Sequence, residues 1–458
     1  MQSFAGLCKT PRDFERLRTQ CLAGLANLGR HNITGALCTA GLQHQDWSSA
    51  YRALQRVPVE KIFAQVQKLT LAHVPTDQPW VVGMDDSILR KTGRRIPGCG
   101  WRRDPLSPPF HVNFTWGQRV LQLSAALPSS DGAARLVPVD FRHAPLPAKP
   151  GRKATAQQQQ AYKEALKQAN LNRLARDCVA QLRAREPARA LHLVVDGRFT
   201  NRTLLHSLPQ QTVLIGRIRK DTVVHFLPQI RAGRGRPRRY GTIAPTPQAL
   251  LHDPAQPFET VSAWACDRRH DFKIKTLGPV RLPICGVDQD VRIVVIAPLG
   301  YRLRQGGKLF YRQPSFLLCT QANLPVQTIL QEYLWRWDIE VNFRDEKTLL
   351  GVSEAQLRNP AAVDNHPSCA VAAYSLLLLA AQSFERSPIR AFPLPKWRRH
   401  QPPPRLSTSH LVSRLRCDLW AHCLRQPILD HFSSRSPSDQ NPPKINSSLA
   451  SAVFHARN

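Results

Sequence analysis

The stretch YLWRWDIEVNFRDEKTLLG, residues 333–351, carries more charge than a buried helix usually holds. Tyr333, Arg336, Glu340 and Lys347 are spaced so that, on a continuous helix turning about 100° per residue, their side chains fall within an arc of about 60°. Asp338, Asp345 and Glu346 point away from that arc. Ile339, Phe343 and Leu350 form an apolar stripe beside it. One carboxylate therefore stands in a row with two cations and a phenol. Such a row can be a solvated face of i, i+4 ion pairs, or it can grip an anion and a metal ion together. Trp335 and Trp337 face elsewhere, toward core or rim.

Two further acids have telling positions. Asp86 lies at the end of the apolar run WVVGMDDSIL (80–89), and Asp196 lies near the end of LHLVVDGRF (191–199). Carboxylates at strand ends of an α/β sheet face the crevice where ligands bind. Asp86, Asp196 and Glu340 would offer hard oxygen ligands suited to Mg²⁺ or Mn²⁺. Two such ions about 3.5–4 Å apart clamp the attacking and leaving oxygens of an in-line phosphodiester displacement. Taken singly, each acid is equally explicable as a cap or turn residue. Asp85 and Asp86 alternate faces on a strand, so only one of them can reach the metals.

The elements that must position these residues follow from the pattern. Residues 1–75 read as a helical region, with RHNITGALCTAGLQHQDWSSAYRALQRV compatible with a helix-turn-helix DNA-binding module or a plain helical subdomain. Residues 76–219 alternate strands and helices: a strand at 80–89, two strands within 112–127 joined near Gly117, a long helix at 155–186, and strands at 191–199 and 212–219. Residues 220–310 break the alternation and read as a β-rich insertion. It contains the Arg/Gly/Pro-rich loop RAGRGRPRRYG (231–241), expected to be mobile and basic. Residues 311–385 return to a strand, the helix of the charged row and an apolar helix near 366–384. A Pro/Arg-rich linker with a C-terminal helix (386–432) and a Ser/Pro/Asn-rich tail expected to be disordered (433–458) complete the chain.

The chain has 458 residues, enough for a large core. Lys and Arg number 64 against 32 Asp and Glu, a formal net charge of +32. That excess points to a polyanionic partner, with arginine favouring bidentate phosphate contacts. No lipidation motif, basic amphipathic helix or apolar run long enough to span a bilayer is visible, so a membrane is not the expected partner. The N-terminus lacks a secretory core segment. The 11 cysteines form no CxxC pair, which fits reduced thiols and a cytoplasmic location.

The spacing Tyr333-x2-Arg336-x3-Glu340-x6-Lys347 resembles the Y-R-E-K signature of DDE insertion-sequence transposases at every interval. GMDDSILRKTG resembles the first-aspartate segment of that family, in which Ser or Thr commonly follows the acid, and this favours Asp86 over Asp85. VVDGRF resembles the second. The resemblance implies an α/β fold with a ribonuclease-H-like catalytic core, a mixed sheet flanked by helices and interrupted by the β-rich insertion. It implies Asp86, Asp196 and Glu340 as catalytic and metal-binding residues holding two Mg²⁺ or Mn²⁺ ions, and Tyr333, Arg336 and Lys347 as holders of DNA phosphates. Trp264, the only tryptophan of the insertion, is the candidate for stacking on a flipped base. The implied activity is cleavage and strand transfer at terminal inverted repeats, by a homodimer on double-stranded DNA in the bacterial cytoplasm and nucleoid. A cleavage-only or domesticated nuclease, and a non-catalytic basic DNA-binding protein, are the alternatives.

Overall fold

The computed structural model describes residues 2–104, 107–108, 110–229, 238–266, 268–286, 289–385 and 405–420. The expected disordered tail (433–458), most of the expected Pro/Arg-rich linker of 386–432 and most of the 231–241 basic loop lie outside these residues.

The N-terminal part is helical, as its apolar periodicity predicts. A short 3₁₀ turn precedes α1 (Pro11–Ala26), which starts at a Thr10 cap with proline in its first turn. Then come α2 (Ile33–Thr39), α3 (Ser48–Gln55) and α4 (Val59–Leu71). The link between α2 and α3 spans residues 40–47, longer than the three or four residues of a helix-turn-helix.

Three antiparallel strands follow. They are β1 (Trp80–Arg90), β3 (Phe114–Pro128) and β4 (Ala134–His143), with the short edge strand β2 (Gly100–Arg103) also pairing with β3. The sequence expectation of a turn near Gly117 is corrected. Gly117 sits inside one long strand, opposite both Arg90 and Gly100. A side chain there would collide with the Leu89 carbonyl, so the glycine serves close strand approach. The turn lies at Ser129–Ala133, where Asp131 accepts from the Ala133 amide at 3.0 Å and Gly132 takes a φ of +96°.

The expected long helix is two helices, α5 (Ala156–Gln168) and α6 (Leu171–Arg185), parted where Asn170 caps the second. Strand β5 (Leu191–Val195) returns parallel to β1. The one-turn α7 (Arg202–Leu205) leads to β6 (Thr212–Arg217), parallel to β5. The order β4–β3–β1–β5–β6 is a ribonuclease-H-like mixed sheet flanked by helices.

The region expected as a separate β-rich insertion mostly continues that sheet. A short pair, β7 (Val224–His225) with β8 (Ile243–Ala244), and α8 (Pro247–His252) come first. Then β9 (Glu259–Ala265), β10 (Arg268–Val280) and β11 (Val291–Ile296) pair in series. A hairpin, β12 (Gly300–Arg302) and β13 (Leu309–Tyr311), stands off the sheet. Strand β14 (Ser315–Cys319) closes the gap by pairing with β11 on one side and β6 on the other. One sheet of ten strands results.

Helices α9 (Val326–Trp335), α10 (Asp338–Thr348), α11 (Pro360–Glu385) and α12 (Thr408–Trp420) complete the described chain. Helix α10 lies on β1 and β4, and α11 packs on β4, α1, α3 and α4. Gly83 of β1 lets α10 approach, since a Cβ there would come within 3.3 Å of the Ile339 side chain. Polar groups are buried at the same contact. Asn342 donates to the Leu136 carbonyl at 3.0 Å and to Ser124 Oγ at 3.3 Å. Glu346 is buried beside Gln122, whose side chain only partly offsets the burial of its carboxyl.

Burial drives the Glu346 carboxyl up to about 8. An acid whose pKa rises on folding stabilises the fold fully below its unfolded value, and that stabilisation is lost as pH climbs through the folded value. Wild-type protein should therefore melt at falling temperature as pH rises from about 5 to about 9. Glu346→Gln should flatten that decline and exceed wild type at the alkaline end, by a few kcal/mol at most. Melting curves across this range test it. A Glu346→Gln curve parallel to wild type would show that the acid does not titrate there.

Candidate active site

The charged row is not one continuous helix. Arg336 caps the C-terminus of α9 and Trp337 caps the N-terminus of α10. Across this break the amides of Arg336, Trp337, Ile339 and Glu340 each bond to the carbonyl three residues earlier, at 3.0–3.2 Å. The chain tightens locally without turning away. The functional face survives the change of phase. Arg336 still reaches Glu340 at 3.2 Å, and Lys347 donates to Ser87 Oγ at 2.5 Å. Asp338 points away, accepting from the Leu136 amide and from Arg405. Trp335 donates to the Gly132 carbonyl, while Trp337 is exposed.

Helix α9 is fixed to the sheet by a buried pair. Glu332 lies 2.8 Å from His192 Nδ1 on β5, the strand that leads to Asp196. Asp196 itself starts a turn, its carboxylate accepting from the Arg198 amide at 2.9 Å.

Strand pleating decides which aspartate meets the helices. Gly83, Asp85 and Ser87 share one face of β1, and that face carries the Ile339, Arg336 and Lys347 contacts. Arg336 bridges Asp85 at 3.0 Å and Glu340 at 3.2 Å. Burial is the main reason the Asp85 carboxyl rises to about 7. The Arg336 guanidinium opposes this, while the charges of Asp196 and Asp86 add to it. Asp85, Arg336, Glu340 and Asp196 thus form one electrostatic group. Tyr333 joins it, with the Arg336 guanidinium 5.7 Å from its ring centre; burial raises its phenol. Burial likewise lowers Lys347.

Asp86, the expected metal ligand, is not brought to Arg336 and Glu340. Its side chain projects from the opposite face, where Arg119 Nε donates to it at 2.7 Å. The serine signal behind that expectation marks the segment, but it cannot tell which of two adjacent acids points where.

Trp264, on the edge strand β9, is half-buried, with its backbone amide and carbonyl tied to Gln331. The aromatic groups that the sequence reading overlooked stand on the β12–β13 hairpin. Tyr301, Phe310 and Tyr311 are exposed there, with Lys308 over Phe310 and Arg312 over Tyr301.

Among the described residues no three histidine, cysteine, aspartate or glutamate side chains form a preassembled metal cluster. Arg336 lies between Asp85 and Glu340, paired with both. The donor chemistry fits a divalent ion nonetheless. The oxygens are hard, and the depth of Asp85 and the neighbouring carboxylates leave it short of positive charge. Among the described residues the ten cysteines are free and no helix is long and apolar enough to cross a membrane.

A family model described as DDE superfamily endonuclease matches residues 8–272. No curated protein matches the chain. The matched region contains Asp85, Asp86 and Asp196. Tyr333 to Lys347 lie beyond it, so their roles rest on geometry and spacing. DDE endonuclease domains generally use divalent metal ions and act on DNA.

Millimolar Mn²⁺ should raise the melting temperature by a few degrees, because binding to the folded state alone stabilises it. The rise should be larger at pH 8 than at pH 6, since Asp85 must give up its proton to bind. Asp85→Asn should remove the rise, and Asp86→Asn should keep it. The reverse pattern would return the metal to Asp86.

Proposed function

The chain belongs to the DDE superfamily endonuclease family, and we propose that within it the protein is an insertion-sequence transposase that cuts and joins DNA at the ends of its own element. The carrying observation is the Arg336 bridge between Asp85 on β1 and Glu340 on α10, with Asp196 in electrostatic reach. Asp85, Asp196 and Glu340 would hold the divalent ions, two Mg²⁺ or Mn²⁺ by the requirements of in-line displacement. When bound, those ions supply the positive charge that the attacking and leaving oxygens need.

The protein's own groups do the rest. Arg336 and Lys347 lie on either side of Glu340 in the chain and reach β1 at Asp85 and Ser87, which places both cations beside the acids to receive phosphates of a DNA backbone. Tyr333 adds a phenolic hydroxyl to the same grip. Arg336 has a double assignment: it neutralises Asp85 and Glu340 when no cation is present, and it turns to phosphate when ions and DNA arrive. The large net positive charge draws DNA to the crevice over a long range. Terminal inverted repeats as the bound sequence, target DNA as the acceptor, and a homodimer pairing two ends complete the proposal. Base stacking, if the reaction extrudes a base, falls to the exposed aromatics of β12–β13 before half-buried Trp264.

The test uses purified protein, Mg²⁺ or Mn²⁺, and a labelled duplex carrying the ends of the element, scored for both nicks and strand-joined products. Wild type should yield both, and nicks alone would reduce the protein to a nuclease. Asp85→Asn, Asp196→Asn and Glu340→Gln should each lose cleavage far more severely than Asp86→Asn. Arg336→Ala and Lys347→Ala should bind DNA yet cleave about 10- to 150-fold more slowly, the equivalent of a charge-assisted contact of about 1.5–3 kcal/mol made in the transition state. Tyr333→Phe should lose less. Wild-type single-turnover rates in Arg336→Ala and Lys347→Ala would make the row an ordinary ion-paired surface.

A further inference from the structure

On the other face of β1, arginine outnumbers its counter-charge. Arg119 places two nitrogens 2.7 Å from one oxygen of Asp86, and Arg198 lies 3.5 Å from the other. The third member comes from β2. Arg102 stands opposite Thr115 in the β2–β3 ladder, and Asp86 stands opposite Leu121 in the β1–β3 ladder. Positions 115, 117, 119 and 121 of β3 share one face. Register therefore puts Arg102, Arg119 and Asp86 on the same side of the sheet, and Arg198 reaches them from the turn that begins at Asp196. One carboxylate serves three guanidinium groups.

The imbalance is not relieved elsewhere. Arg102 donates from one terminal nitrogen to the Ala144 carbonyl at 2.8 Å, but its Nε is buried without an acceptor. Burial and the neighbouring Arg119 and Arg198 push Arg102 down to about 10. Arg198 keeps about half of its side chain exposed (48%), so the cluster opens to solvent on the side of the strand ends.

We infer that Arg102, Arg119 and Arg198 form a second anion seat, separate from the Tyr333–Lys347 grip, that takes one backbone phosphate of the DNA. This rests on the reading of the protein as a DNA-processing enzyme. A phosphodiester brings one negative charge and oxygens that match the guanidinium fork, and unlike a carboxylate side chain it can enter from the open side. Asp86 organises Arg119 and Arg198 while no DNA is bound and offsets part of their repulsion. Asp85 and Asp86 are chain neighbours with Cα atoms about 3.8 Å apart. A DNA strand crossing β1 at Asp85 and Asp86, just past the last pairing with β5 at Met84, would thus be held on one face while its reacting phosphate sits on the other.

The test measures binding of the full-length protein to a labelled duplex in EDTA as salt is varied, so that cleavage plays no part. Arg198→Gln should weaken binding about 5- to 20-fold at low salt and reduce the slope of log K against log salt by about 0.9, the loss of one phosphate contact. Arg102→Gln should do the same. Arg198→Lys, which keeps the charge and loses the fork, should recover only part of the affinity. Asp86→Asn should tighten binding by a similar factor. Arg219→Gln, at an exposed arginine paired with Asp221, serves as the surface-charge comparison and should change affinity by no more than about twofold. Because Arg198 is half-exposed, its variants should melt like wild type, so the result does not depend on whether Arg102→Gln folds. The seat is overturned if Arg198→Gln binds like wild type, if Arg198→Lys restores full affinity, or if Asp86→Asn weakens binding. Absence of any metal-dependent cutting by wild type would remove the enzymatic reading, whereas unchanged affinity in the arginine variants of an active protein would remove the seat alone.

Discussion

The alternation of side chains along β1 is the constraint on which the rest depends. Gly83, Asp85 and Ser87 face α9 and α10, while Met84, Asp86 and Ile88 face the other way. A missing side chain at Gly83 lets Ile339 close on the strand. That closure brings Arg336 to Asp85 and Lys347 to Ser87. Shift the register by one residue and the helices would meet Met84 and Asp86 instead. The chemistry of the site and the packing of the core are therefore set by the same ladder.

Much of this was legible in the chain. The apolar run that leads to Asp85 and Asp86 and the one that leads to Asp196 both announce strands. The apolar runs at 80–89, 191–199 and 212–219 announce β1, β5 and β6, whereas β2 and β4 are not set apart as strands. The Tyr333–Lys347 spacing names its own face, and Asp338 lies off it as that spacing requires. What stayed hidden is non-local. Nothing near Arg336 marks the break between α9 and α10, because the residues there have ordinary helix propensities. Asp85 and Asp86 differ only in direction, and direction is set by partners on β3 and α10 that are distant in sequence. Gly117 looked like a turn because glycine often makes one. Its use here, admitting a neighbouring backbone, depends on two other strands. Residues 220–310 looked separate because their strands are short and broken by prolines. Their membership of the main sheet is decided by β14, which comes later in the chain.

The buried charges carry a second lesson. Asp85, Glu346 and the His192–Glu332 pair all lie where α9 and α10 meet the sheet. A purely apolar contact would hold these helices at least as well. Charge is nonetheless retained at this contact, as the proposed function requires of a surface that receives an anionic ligand and cations. It leaves carboxyl groups whose ionisation depends on what is bound beside them.

The extension of the sheet through β14, β11, β10 and β9 has a mechanical meaning. An appended module can swing on its linkers, but these strands share a continuous hydrogen-bonded ladder with β5 and β6, and β14 joins β11 through five residue pairs. The β12–β13 hairpin rises between β11 and β14, so its distance from the strand end at Asp196 is a property of the ladder and not of a hinge. Any nucleotide gripped by that hairpin is held at a fixed number of steps from the acids. On the proposed function the sheet would act as a ruler along the DNA, with the position of the cut measured by the width of the strands between hairpin and acids.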